Sequence, residues 1–236
     1  MSSDKKEPIP AFYLDDMDTI SAKFGGKSLA EIFHTIHQTN YWDNQGTVSG
    51  PGSDVDQTRT ISSVLPDLFA RLSIRSLLDA PCGDLAWIQG ILPDDLEYTG
   101  MDIVPEIIAS NKVQFTGRPF SFILGDLTED PLPRADLILC RDCLVHFSET
   151  NIRKALTNFT RSGSTWLLMT SFTGPRPYQE LPDGGWRALN FQLPPIALPE
   201  PDFILTENCT ELNGQYSDKA LCLWSMKKVA EGLEGK

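Results

Sequence analysis

The chain has 236 residues, 41% hydrophobic and 22% charged, a composition that suits one large globular domain and excludes wholesale disorder. It carries 20 Lys and Arg against 32 Asp and Glu, a formal net charge of -12; such a surface repels phosphate backbones and anionic lipid, so neither nucleic acid nor a membrane is an expected partner. The cysteines are odd in number (Cys82, Cys140, Cys143, Cys209, Cys222), no apolar run approaches the ~20 residues of a membrane span, and the start lacks a signal-peptide core, so the expected location is the reducing cytoplasm.

The first dozen residues are polar and Pro-containing and predict a frayed start. Leu29, Ile32, Phe33 and Ile36 then follow i, i+3, i+4, i+7 spacing, which predicts a helix over 28–42 with Ser28 as N-cap. Residues 49–53, SGPGS, read as a flexible loop. A second helix is predicted over 58–72, ended or kinked at Pro66. Residues 1–53 are expected to form a helical extension or lid, and 54–236 the main domain.

From Arg75 short apolar runs alternate with helical patterns. Strands are predicted at 76–80, 98–103, 120–127, 136–140 and 166–172, with helices over 85–92, 105–115 and 149–161 between them. Such alternation implies βαβ units and a parallel sheet covered on both faces. Residues 174–202 break the rhythm and predict an irregular insert of the kind that forms binding loops. FILTENCTEL and KALCLWSMKK, separated by Asn213-Gly214-Gln215-Tyr216-Ser217-Asp218, predict an antiparallel hairpin. The expected fold is α/β: a doubly wound, mostly parallel seven-stranded sheet closed by a C-terminal antiparallel hairpin, with helices on both faces and an N-terminal helical cap.

In an open α/β sheet ligands lie beyond the carboxyl ends of the strands, where strand order reverses. Acids fall there three times in succession. Asp79 ends the first strand. Asp102 ends the second, at the spacing of an acid that accepts from both ribose hydroxyls. Asp126 follows the third, placed to accept from an exocyclic adenine amine. Gly83 lets the backbone approach a ligand closely. Each acid alone also suits a helix cap or a solvated turn; the three together predict a nucleoside site.

The segments LLDAPCGDLAWI, GMDIVPEII, LGDLTED and DLILCRDCLVHF resemble the cofactor motifs of class I S-adenosylmethionine-dependent methyltransferases. The terminal antiparallel pair resembles that family too, and the resemblance spans about 54–228. It implies S-adenosyl-L-methionine as cofactor and S-adenosyl-L-homocysteine as product. It implies that Asp79, Ala80 and Gly83 bound the methionine end, that Asp102 and Ile103 meet the ribose, that Asp126 and Leu127 frame the adenine, and that the backbone near Arg141 touches the amino group. The family's glycine-rich turn has three glycines; here Pro81 and Leu85 replace the outer two. That departure also disfavours a dinucleotide, whose pyrophosphate needs an open Gly turn and a helix N-terminus.

Methyl transfer needs an acceptor held in line with the methyl group and water kept out, plus a base only where the acceptor keeps a proton. His146, just past the fourth strand, is the candidate base, with Asp142 as its partner or as a substrate contact; the alternative for His146 is a packed or capping imidazole. No Asn/Asp-Pro-Pro-Tyr or paired-glutamate motif follows the fourth strand, and no Asp-Asn pair follows the fifth, so adenine, guanidinium and metal-dependent catechol-type substrates are not expected. Cys140-x2-Cys143-x2-His146 lacks the fourth ligand of a structural zinc site, so no metal is expected. The acceptor pocket is expected to form from Tyr41, Trp42, Ser49 and Gly50 and, in the insert, from Trp186 as a stacking ring and Arg187 as a grip for an anion. A core anchor and a surface salt bridge are the alternatives for these two.

The expected activity is methyl transfer to oxygen or nitrogen of a small-molecule acceptor by a monomer or homodimer. The alternatives are a protein side chain or glycan as acceptor, or a methyltransferase-like binding domain without turnover.

Overall fold

The computed structural model describes residues 9–44 and 46–234, Ala11 by its backbone alone. The start predicted to fray lies outside the described residues as far as position 8. A 3-10 turn at Ala11–Tyr13 buries Phe12, and helix α1 (Met17–Phe24) follows, with Asp16 as N-cap accepting from the Thr19 N–H.

Helix α2 (Leu29–Thr39) begins where Ser28 predicts. Glu31 donates its N–H to Ser28 Oγ and accepts from the Ser28 N–H, a complete capping box. It stops short of 42 because Asn40 turns left-handed (φ 46°). Helix α3 (Val55–Leu72) starts before Thr58 and runs unbroken through Pro66. Leu65, Leu68 and Phe69 are buried on both sides of the proline, and that packing overrides the lost hydrogen bond.

The sheet contains β1 (Ser76–Asp79), β2 (Glu97–Asp102), β3 (Phe120–Leu124), β4 (Leu137–Cys140), β5 (Trp166–Phe172), β6 (Phe203–Thr206) and β7 (Lys219–Ser225). Their order is β3-β2-β1-β4-β5-β7-β6. The first five strands are parallel, and β7 lies antiparallel between β5 and β6. The expected doubly wound, mostly parallel fold is therefore present. Strand order reverses between β1 and β4, which opens the crevice at their carboxyl ends. Helices α4 (Pro105–Gln114) and α5 (Glu149–Arg161) complete the crossovers. One face of the sheet buries Leu78, Ile138, Leu167 and Trp224, the other Leu77, Leu139, Leu168 and Leu223.

Three expectations change. No helix forms over 85–92: Leu85 is left-handed (φ 58°) and the segment is a series of turns, although Leu85, Ile88 and Leu92 are buried as the periodicity requires. The apolar spacing serves a packed turn rather than a helix. The last two strands are shorter than predicted. Their link carries a short helical turn, α6 (Glu211–Gly214), in which Leu212 and Asn213 are left-handed, so Asn213-Gly214 bends a longer excursion instead of a two-residue hairpin. Residues after Ser225 form helix α7 (Met226–Glu234).

The insert is irregular, as expected, with no helix or strand over 174–202. It is nevertheless packed. Leu181 joins Ile20, Phe24, Ile32 and Ile36 of α1 and α2 in one apolar cluster. Gly184 (φ 88°) lies so close that a Cβ there would stand 2.7 Å from Phe24 and 2.9 Å from Ile32. No helix among the described residues is long and apolar enough to cross a membrane. All five cysteines are buried free thiols.

Candidate active site

The crevice at the switch point is a cleft of about 980 Å³, lined by Asp79, Ala80, Gly83, Asp102, Ile103, Asp126, Leu127 and Arg141 together. Asp79 accepts from the Tyr98 hydroxyl at 2.8 Å. Burial, aided by the nearby Asp102, raises its pKa to about 7. Asp102 accepts from the Gly83 N–H at 3.1 Å and the Val104 N–H at 3.0 Å, and burial raises its pKa also. Asp126 accepts from the N–H and hydroxyl of Thr128 at 2.8 and 2.7 Å. Asp102 and Asp126 thus each close a local turn by bonding the N–H two residues on, which fixes their carboxylates at the cleft wall; neither caps a helix. Asp79 Oδ1 and Asp126 Oδ2 have no hydrogen bond among the described residues.

Gly83 is left-handed (φ 52°), and a Cβ there would overlap Ser49 Oγ. Ser49 therefore sits directly over the turn that follows β1. Two further bonds hold it there: Thr47 Oγ1 and the Val48 N–H donate to the two oxygens of Asp84, at 2.9 and 3.0 Å. Because 84–91 forms turns, no helix N-terminus faces this turn, and the cleft has no pyrophosphate seat there. Carboxylates suited to hydroxyls and an ammonium remain. That set of acceptors is one an adenosyl-methionine, with its ribose hydroxyls, adenine amine and ammonium, would fit.

Arg141 does more than lend its backbone. Its buried guanidinium donates to Glu207 at 3.2 and 2.6 Å and to the Gly52 carbonyl at 2.7 Å, and lies 5.2 Å from the Trp87 ring centroid. Lys219, at the start of β7, donates to Asp142 at 2.6 Å and stands 3.6 Å from Glu207. Two buried cations thus face two carboxylates. Burial pushes the Asp142 carboxyl up, but the Lys219 ammonium and the Arg141 guanidinium outweigh it and hold the pKa well below the usual range. Glu207 and Lys219 are absent from the expected site, because they come from β6 and β7 and only the sheet order brings them to β4.

His146 ends a 3-10 turn, Leu144–His146. Its Nδ1 lies 2.9 Å from the Gly185 carbonyl, which can only accept, so Nδ1 carries the proton and Nε2 keeps a lone pair. Burial lowers the His146 pKa to about 4, so the ring is neutral near pH 7. Its centroid is 5.0 Å from that of Trp42. Asp142 is committed to Lys219, Arg141 and Thr170 and makes no hydrogen bond to His146; the expected pairing of the two does not form.

A second cavity, about 420 Å³ in extent, adjoins the cleft and shares Trp42, Ser49, Asp142 and His146 with it. Gly50 and Trp186 line it as expected, together with Tyr13, Phe172, Tyr216 and Glu211, which the sequence reading missed. Tyr41 lines neither cavity; its hydroxyl bonds to Asp15 and its ring packs edge-on against Phe24. Arg187 lines neither cavity as well. It is buried, donates to the Phe147 carbonyl at 2.7 Å and stacks over Tyr178 at 5.3 Å, and burial lowers its pKa. Its anion-gripping role is corrected on that ground: along the insert, Trp186 faces the cavity and Arg187 faces the protein. Among the described residues no group of three or more His, Cys, Asp or Glu is arranged to hold a metal ion.

Residues 77–163 match a family model described as a methyltransferase domain. No curated protein matches the chain. Among solved structures, a SAM-dependent methyltransferase of Leishmania major is similar at 18% identity and a TM-score of 0.59, covering 88% of this chain and 91% of that one. Magnesium protoporphyrin IX methyltransferase from Synechocystis, crystallised with SAH, aligns at 16% identity over 62% of this chain and 74% of that one, with a TM-score of 0.49. The methyltransferase domain of a bacterial Hen1 protein aligns at 12% identity over 50% and 67%, with a TM-score of 0.44. Residues 77–163 thus resemble a methyltransferase domain, and the fold as a whole is that of a SAM-dependent methyltransferase structure.

Proposed function

We propose that this chain transfers a methyl group from S-adenosyl-L-methionine to oxygen or nitrogen of a small molecule held in the second cavity, leaving S-adenosyl-L-homocysteine. One observation carries the reading: Trp42, Ser49, Asp142 and His146 line both cavities, so a molecule in the second meets the occupant of the first at their common wall. The bound cofactor supplies an activated methyl group. The protein's part is position and the exclusion of water. Ser49, over Gly83, and Gly52, bonded to Arg141, close the cleft from the N-terminal side. Residues 1–53 act in this reading as a lid over the 54–236 domain.

His146 acts as a fixed hydrogen-bond acceptor. A ring with a pKa of about 4 holds a proton poorly at neutral pH, yet its Nε2 lone pair is oriented by the Nδ1 bond to Gly185. It aligns the acceptor's O–H or N–H, and the surplus proton leaves to solvent. Asp142 sets the position of Lys219 and takes no proton. The small extent of the second cavity, a half-open recess lined by both the lid and the insert, supports a small acceptor over a protein side chain or a glycan. Acidic charge and unpaired thiols support action in the cytoplasm, as a monomer or homodimer, without a nucleic-acid or membrane partner. Calorimetry with S-adenosyl-L-homocysteine tests the cofactor site, and a metabolite screen for a gain of one methylene tests turnover. Binding without any methylated product would leave the non-catalytic alternative.

A further inference from the structure

We propose that the acceptor is an amine, captured as its ammonium against the ring-lined, acidic wall of the second cavity. The inference rests on the methyltransferase reading and narrows it from oxygen or nitrogen to nitrogen.

Three rings, packed against one another, form that wall. Trp186 lies 4.7 Å from Tyr13 and 4.8 Å from Tyr216 between centroids, both edge-on, and Tyr13 stacks on Tyr216 at 6.0 Å, so a cation meets them from the cavity side and not between them. Aromatic faces carry negative potential and attract a cation stripped of water. Glu211 stands at the same wall, accepting from the Tyr13 hydroxyl at 2.7 Å. That bond turns the phenol proton toward Glu211 and leaves the phenol oxygen an acceptor only.

Charge points the same way. The ionised groups lining the cavity are Asp142, Glu211 and Lys219, two carboxylates against one ammonium. Lys219 is already held by Asp142 at 2.6 Å. Arg176 stacks on the outer side of Tyr216, 5.4 Å from its centroid, but donates to Asp218 at 2.9 Å. With Arg187 turned into the protein, Lys219 is the only Lys or Arg among the described residues that line the cavity, and Asp142 already holds it. The neutral His146 adds another acceptor, its Nε2 lone pair. Asp142 is balanced by Lys219 and Arg141, whereas Glu211 has no ion pair among the described residues; a ligand that donates hydrogen bonds and carries positive charge fits this wall, and a carboxylate is repelled by Glu211.

The step balances. The ammonium first releases a proton to solvent. The nitrogen lone pair then forms the N–C bond as the C–S bond breaks, its electron pair stays on sulfur, and the new N-methylammonium is the product. Overall one proton is released for each methyl moved.

Three probes of one body, benzylamine, benzyl alcohol and benzoate, test the proposal on the full chain saturated with S-adenosyl-L-homocysteine at pH 7.5. Titration is expected to show benzylammonium binding at least tenfold tighter than either of the others. Glu211→Gln should shrink that preference to less than threefold, and Trp186→Leu should weaken benzylammonium at least fivefold. Both variants should bind S-adenosyl-L-homocysteine as the unaltered chain does, which shows that they are folded. Equal or tighter binding of benzoate or benzyl alcohol, no binding of any probe, or a preference that survives Glu211→Gln overturns the proposal. Should S-adenosyl-L-homocysteine itself not bind, the methyltransferase reading fails, and the same titrations on the ligand-free chain still decide the amine preference.

Discussion

Arg141 and Glu207 are joined twice, Nε to Oε1 at 3.2 Å and Nη2 to Oε2 at 2.6 Å, with both side chains almost wholly shielded from solvent. The pair ties the end of β4 to the segment after β6, and a third bond from Arg141 reaches the Gly52 carbonyl of the lid. Removing Glu207 leaves two buried cations, Arg141 and Lys219, to share Asp142 alone, and breaking such a buried pair costs about 3–5 kcal/mol. Glu207→Gln is expected to lower the unfolding free energy by about that amount in urea denaturation. A loss below about 1 kcal/mol would mean that water or another group satisfies Arg141.

Cofactor affinity should depend on pH through Asp79. Its folded pKa, about 7, lies above the ordinary 3.8, so the ligand-free fold holds a proton that the unfolded chain has released between those values. On its own account Asp79 therefore makes the ligand-free fold less stable as pH rises through that window. The ammonium of the amino-acid end favours the ionised carboxyl, so affinity for S-adenosyl-L-homocysteine should fall as pH drops below about 7, approaching tenfold per unit. Calorimetry at pH 6, 7 and 8 in buffers of different ionisation enthalpy checks both the trend and the proton released. A flat profile would remove Asp79 from the cofactor site.

His146→Ala should reduce kcat by about 10–100-fold with S-adenosyl-L-homocysteine affinity within about twofold, because the lost function is alignment of the acceptor. His146→Gln retains a hydrogen-bond acceptor and should keep more of the activity. With a pKa near 4, His146 should contribute no inflection to the rate between pH 6 and 8. Full activity in the alanine variant would return His146 to a packing role.

Gly83→Ala places a side chain in left-handed backbone and against Ser49. The backbone strain costs about 1–2 kcal/mol, and the lid must lift to make room. Weaker binding of S-adenosyl-L-homocysteine, by tenfold or more, and faster proteolysis within 46–54 are the expected readouts. Unaltered protection of that segment would show that the lid does not rest on this turn.

The mostly parallel α/β class and the acids Asp79, Asp102 and Asp126 beyond the strand ends were legible in the sequence, because period, strand length and strand-end residues all act locally. So was the Ser28 cap, a signal contained in four residues. The acceptor side was legible only in part. Trp186 and Arg187 are neighbours in an irregular segment with no period to say which faces inward, and here the ring does. Glu207, Lys219 and Glu211 reach the site through β6 and β7, and Tyr13 meets Glu211 from 198 positions away; spacing in the chain carries no trace of such meetings. The helix expected over 85–92 failed because buried turns can share a helix's apolar period when a left-handed residue such as Leu85 starts them.

Gly184, seated against Phe24 and Ile32, makes the first helices and the late insert two halves of one seam. Specificity cannot then be regrafted piecemeal. A chimera that borrows either half from a divergent homologue inherits a mismatched joint and loses its selectivity, whereas exchanging both together preserves the fit and carries the donor's preference across.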